Sequence, residues 1–84
     1  MDITDVRIKK LDSDGKTKAF ASITFDDSFV VKGLKIVEGK NGLFISMPSR
    51  KRSNGDYVDI AHPVKAEVRA KIQERILNAY EKLA

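Results

Sequence analysis

The sequence predicts an α+β domain, a small antiparallel β-sheet of four to five strands joined by meander-like hairpins with one C-terminal α-helix packed on it. Three observations carry this. The first part of the chain alternates apolar and polar residues in short runs. Turn dipeptides separate those runs, and the stretch from Val64 onward contains no further Pro or Gly and switches to a helical period. No internal repeat, linker or low-complexity tract interrupts the 84 residues, so residues 1–84 are read as a single domain.

Val6 and Ile8 alternate with Asp5, Arg7 and Lys9 as a half-buried strand requires, and Lys10-Leu11 breaks the period as a strand end or bulge does. Asp14-Gly15 supplies a hairpin turn. In the next strand Ala19, Ala21, Ile23 and Phe25 share one face, and Lys18, Phe20, Ser22 and Thr24 share the other. Asp26-Asp27-Ser28 ends it. Phe29 to Val37 is β-branched enough for a more central strand, with Gly33 marking a bulge or a close backbone approach. A loop over Glu38 to Asn41 and a strand with Leu43, Ile45 and Met47 on one face follow, until Pro48 removes a ladder donor. Asn54-Gly55 then turns the chain toward Tyr57-Val58-Asp59-Ile60, which sets Arg50-Lys51-Arg52 on one arm of a projecting hairpin.

Pro63 suits the first turn of a helix running to about Leu83. Val68, Ile72, Ile76, Ala79 and Leu83 fall into one apolar stripe with Tyr80 at its margin. Lys71, Arg75 and Lys82 form the ridge beside it, and Glu67, Glu74 and Glu81 the next. Most of the six aromatics are expected in the core. Phe20 and Phe44 are the exceptions by alternation, and a second protomer is the economical cover for their side of the sheet, ahead of base stacking as in single-strand binders.

The formal net charge of +4 is unevenly spread. Residues 1–29 sum to −1 and residues 56–84 to zero, while residues 30–55 carry +5, with Lys32, Lys35, Lys40, Arg50, Lys51 and Arg52 against Glu38. A concentrated positive region of this kind suits a polyanion. Three fixed cations beside a turn can each contact a phosphate and release counterions, so Arg50, Lys51 and Arg52 are the first candidates for nucleic-acid binding. The plainer alternative is a solvated loop. Lys65 and Arg69, in the first helical turn, extend the candidate surface.

Other chemistries find little support. The absence of cysteine removes disulfides and thiolate metal sites and fits a cytoplasmic location. His62 is the single histidine, which makes zinc improbable on the donor count. No nucleophile elbow accompanies Ser49 or Ser53, and neither GxxxxGK[ST] nor GxGxxG occurs. The reading is therefore no enzyme, no catalytic residue, no cofactor or metal, and no small-molecule substrate, with His62 capping the helix or bonding a backbone carbonyl. Neither a signal-peptide pattern nor a run of about 18 apolar residues is found, so export and membrane insertion are not expected.

Thr4-Asp5-Val6-Arg7, Asp14-Gly15, Ala21-Ser22-Ile23-Thr24, Gly42-Leu43-Phe44, Met47-Pro48-Ser49 with its following basic residues, and Asp59-Ile60-Ala61-His62-Pro63 occur in that order across nearly the whole chain. On these residues the sequence resembles the stage V sporulation protein G (SpoVG), or septation regulator, family. The resemblance implies a small homodimer with a sheet and a C-terminal helix, a bacterial regulator of cell division and developmental gene expression that binds DNA and, in some members, RNA. It places nucleic-acid contact on Arg50, Lys51 and Arg52, with the first helical turn second. There Val64-Lys65-Ala66-Glu67 replaces a polar stretch common in relatives, while Arg69 matches the arginine usually found. A protein-interaction adaptor without direct nucleic-acid binding is the alternative from another class.

Overall fold

The computed structural model describes residues 2–12 and 15–83. Strands β1 (Ile3–Lys10), β2 (Thr17–Phe25), β3 (Phe29–Gly39) and β4 (Gly42–Ser46) form an antiparallel meander in sequence order. Strands β5 (Ser49–Lys51) and β6 (Tyr57–Asp59) form a separate two-stranded sheet, and helix α1 spans Ala66–Leu83. The α+β class holds, with the strands divided between two sheets rather than gathered in one. Pro48 is the reason for the division, because it lies two residues past the end of β4, after Met47, and cannot donate to a continuing ladder.

Alternation sets the core. Ala19, Ala21, Ile23 and Phe25 of β2 are buried on the helix side together with Leu34 and Ile36 of β3, and Ile45, Met47, Ile72 and Ile76 complete the cluster. Helix α1 touches both edge strands, β1 and β4, so it lies across the sheet. Its stripe departs from the sequence reading at the C-terminal end, where Leu77 packs against the core and Leu83 stays exposed. Eighteen residues make a helix about 27 Å long. Four strands about 4.8 Å apart span less than that, so the helix overruns the sheet after Tyr80, which still packs against the core with Lys10 of β1 over its ring.

The helix starts at Ala66, three residues after Pro63, and not at the proline itself. The Lys65 carbonyl accepts the N–H groups of Val68 and Arg69, both at 3.2 Å, which makes Lys65 the capping residue. The Pro63 carbonyl is occupied instead by the His62 ring, whose Nδ1 lies 3.1 Å away and donates to it. His62 thus bonds a backbone carbonyl, one of the two roles expected of it.

Strand β3 runs two residues further than its pattern suggests, because Glu38 pairs with Leu43 and donates its N–H to the Lys16 carbonyl at 2.8 Å. The connecting loop shrinks to Lys40 and Asn41. The Asp14-Gly15 turn lies outside the described residues at Asp14. At the opposite end of the β2–β3 hairpin, Asp26 and Asp27 both take positive φ, 51° and 53°. The Asp26 carboxylate accepts the Asp2 N–H at 2.9 Å, which ties this turn to the start of β1.

Gly33 confirms the bulge. Ala21 pairs with Leu34 and Ile23 with Val31, so Lys32 and Gly33 together face Ser22 alone. The φ of Gly33 is +88°, a conformation L side chains rarely adopt. Gly33→Ala is expected to lower stability by about 1–3 kcal/mol through backbone strain, partly offset by the stiffer unfolded chain. A chemical-denaturation series at fixed protein concentration checks this, and an unchanged midpoint would contradict the bulge. No helix among the described residues is long and apolar enough to cross a membrane.

Candidate nucleic-acid interface

The basic arm is a hairpin because two short strands flank a turn that only a few residue types can make. The Gly55 N–H donates to the Arg52 carbonyl at 3.0 Å, and the Arg52 N–H donates to the Asp56 carbonyl at 2.6 Å. Gly55 supplies the positive φ, 94°, that closes a three-residue loop of Ser53, Asn54 and Gly55. The Asn54 side chain braces the tip, accepting the Asp56 N–H at 3.1 Å and donating Nδ2 to the Asp56 carboxylate at 3.3 Å. At the base, the Ile60 N–H donates to the Pro48 carbonyl at 2.7 Å.

Arg50, Lys51 and Arg52 are all exposed on this arm. Register sets Ser49 opposite Asp59, Arg50 opposite Val58 and Lys51 opposite Tyr57. Neighbouring residues of a strand project to opposite faces, so Arg50 and Lys51 lie on the two sides of the ribbon. Among the described residues the ion pairs are Arg7 with Asp5 at 2.9 Å and Lys18 with Glu38 at 3.2 Å, and neither involves the arm. Asp56 is engaged by Asn54, and Asp59 sits at the base across from Ser49. The three cations are therefore not neutralised by direct ion pairing among the described residues.

The helix start is different in character. A groove of about 900 Å³ between it and the beginning of β1 is lined by Lys65, Lys71 and Arg75 but also by Asp2, Glu67 and Glu74. Arg75 is engaged structurally, donating Nη1 to the Ile3 carbonyl at 3.1 Å. Cations and carboxylates balance here, so this groove offers a polyanion far less than the arm does. Lys65 is exposed and lines the groove, whereas Arg69 is half-buried and lies outside it. The structure does not bring Lys65 and Arg69 together with Arg50–Arg52 through any hydrogen bond or ion pair among the described residues.

Two aromatics expected in the core are exposed instead. Tyr57, 68% exposed, stands across from Lys51 on an arm that no helix covers. Phe29, 66% exposed, follows the Asp26–Ser28 turn at the end of its hairpin. Tyr57 joins the candidate interface, and the register that the Asn54-Gly55 turn imposes was the signal that could have placed it there.

The SpoVG family model matches residues 1–82. The chain belongs to the SpoVG family. Curated SpoVG relatives agree over almost its full length, each bearing the name "Putative septation protein SpoVG". One from Acetivibrio thermocellus is 59% identical over 83 residues, covering 99% of this chain and 88% of the relative. One from Alkaliphilus oremlandii is 55% identical over 84 residues, covering 100% and 90%. A third, from Clostridium novyi, is 58% identical over 81 residues, covering 96% and 81%. Membership bears out the resemblance read from the sequence motifs, and septation, already part of that resemblance, is the process in these relatives' names.

Proposed function

We propose that this chain is a cytoplasmic, homodimeric nucleic-acid-binding regulator of gene expression, acting in septation and sporulation, and that it is not an enzyme. The observation that carries the reading is the arm, which presents exposed cations on both faces of a two-stranded ribbon, with no ion pair to them among the described residues. The major groove of a DNA duplex admits such a ribbon and is walled by phosphates on both sides. Arg50 and Lys51 then face opposite walls while Arg52 sits nearest the tip. Phosphate contacts of this kind position the protein without specifying sequence. Lys65 and Arg69 are secondary contacts, made only if the duplex bends round to the helix start. The names of the relatives support the link to septation.

Dimerisation has its best surface at the apolar end of the molecule. Phe29 is exposed at an apolar cleft of about 190 Å³ that Phe25, Met47, Pro48 and Val68 also line, and exposed Ile60 and Val64 flank in sequence its lining residues Ala61, His62 and Pro63. The Phe20 and Phe44 side, to which the sequence reading assigned the second protomer, is ringed by cations that a symmetric partner would set against cations. The apolar end is also what favours the second reading, an adaptor that docks a division or transcription protein. Duplex binding by the parent and by Arg50/Lys51/Arg52→Ala decides between them. The triple variant is expected to lose most of its affinity with folding unchanged, and an unaltered affinity rejects the nucleic-acid reading.

A further inference from the structure

The open face of the four-stranded sheet carries two exposed phenylalanines on a cationic ground. Phe20, 40% exposed, lies between buried Ala19 and Ala21 and therefore points away from the helix. Register draws one row across all four strands, Lys9, Phe20, Lys35 and Ser46. Val37 and its partner Phe44, 46% exposed, stand two residues along β3 from Lys35 on the same face. The Phe44 ring leans over the backbone of Gly39, where an added Cβ would meet its Cε1 at 3.0 Å. The Phe44 ring is thus held against Gly39 while close to half of the residue stays exposed.

Beside Phe20 a shallow cleft of about 260 Å³ is lined by Arg7, Lys9, Ser22, Lys32 and Gly33. Arg7 is paired with Asp5, whereas Lys9, Lys32 and Lys35 make no ion pair among the described residues. Two strands of separation and one two-residue step put Phe20 and Phe44 about 12 Å apart, too far to stack on each other. Each ring is left for a separate flat partner, with a lysine beside it for an anion.

We propose that this face binds an extended single strand of nucleic acid, one base stacking on Phe20 and another on Phe44, with Lys35 holding the phosphate between them and Lys9 and Lys32 holding phosphates on the far side of Phe20. Separated aromatic platforms set among cations are the chemistry that recognises unpaired bases. Charge complementarity selects this occupant: a polyanion neutralises the excess of Lys9, Lys32 and Lys35, whereas a second copy brings the same positive excess to the interface. The site is distinct from the arm, so either can fail alone.

The test is a titration of the full-length, isotope-labelled chain with the octanucleotides U8 and dT8, read residue by residue from amide shifts, with a duplex as a separate arm of the experiment. Both octamers are expected to shift the amides of Phe20, Lys35 and Phe44. Phe20→Ala and Phe44→Ala should each weaken octamer binding roughly five-fold or more, as loss of one base stack does, and leave duplex binding unchanged. Phe44→Tyr keeps the ring and should keep the affinity. Arg50/Lys51/Arg52→Ala should lose the duplex and retain the octamers. The proposal is overturned if octamer shifts are confined to residues 50–58, or if both alanine variants bind as the parent does. It is equally overturned if those variants convert a dimer to a monomer without changing octamer affinity, which would give the face to a second copy.

Discussion

Ile76→Ala is expected to be the most damaging single substitution in the molecule, lowering stability by about 2–5 kcal/mol. Ile76 is completely buried, and it belongs to the helix that touches both edge strands. Deleting three carbons there removes contacts on several sides at once and leaves a cavity beneath a rigid element. Ile23, Leu34 and Ile36, the other fully buried large side chains, come from strands held by ladders on both sides and have little freedom to collapse into it. An 84-residue domain has only a few kcal/mol to lose, so the variant should approach unfolding at ambient temperature. Urea denaturation followed by far-ultraviolet circular dichroism at fixed protein concentration is the measurement. A midpoint lowered by about one molar or more is expected. Asn78→Ala, at an exposed helix position outside the surfaces assigned above, is the control and should leave the midpoint nearly in place.

The second large effect concerns salt. If the three arm cations of one protomer engage duplex phosphates, log K should fall with log salt at a slope of about −2.7, and at about −5 when both arms of a dimer engage. Fourfold more salt then weakens dimer binding roughly a thousandfold and binding by one arm only about forty-fold. The slope therefore counts arms as well as charges. Arg50/Lys51/Arg52→Ala should flatten it toward zero, and a parent protein with a flat response would have no phosphate contacts to lose.

Much of the fold was legible because both periods are clean. Ala19, Ala21, Ile23 and Phe25 could be assigned to the buried face from alternation alone, and Gly33 announced its bulge by being a glycine inside a β-branched run. The helix boundary was less legible. Pro63 is compatible with a first turn, yet the first carbonyl to accept helical N–H groups is that of Lys65, while the Pro63 carbonyl meets the His62 ring. Leu83 satisfied the stripe's period, but period carries no information about how far the sheet extends. Phe29 and Tyr57 were misplaced for a related reason, since aromatic character predicts burial only where another layer exists to bury against. Among the site residues, the arm cations were marked by charge imbalance along the chain. The opposite facing of Arg50 and Lys51 needed the strand register. The balance of carboxylates around Lys65 needed the third dimension, because Asp2 is far from it in sequence.

The break at Pro48 has a consequence for how this molecule can change. An isolated two-stranded ribbon is marginally stable by itself, and this one joins the body at Pro48, next to the end of β4, and returns to it through the Ile60-to-Pro48 bond. Its residues contribute nothing to the buried cluster beneath the helix. Substitutions along it can therefore retune what the molecule grasps while the foundation stays intact, and a lineage is free to vary its targets there without first acquiring spare stability elsewhere.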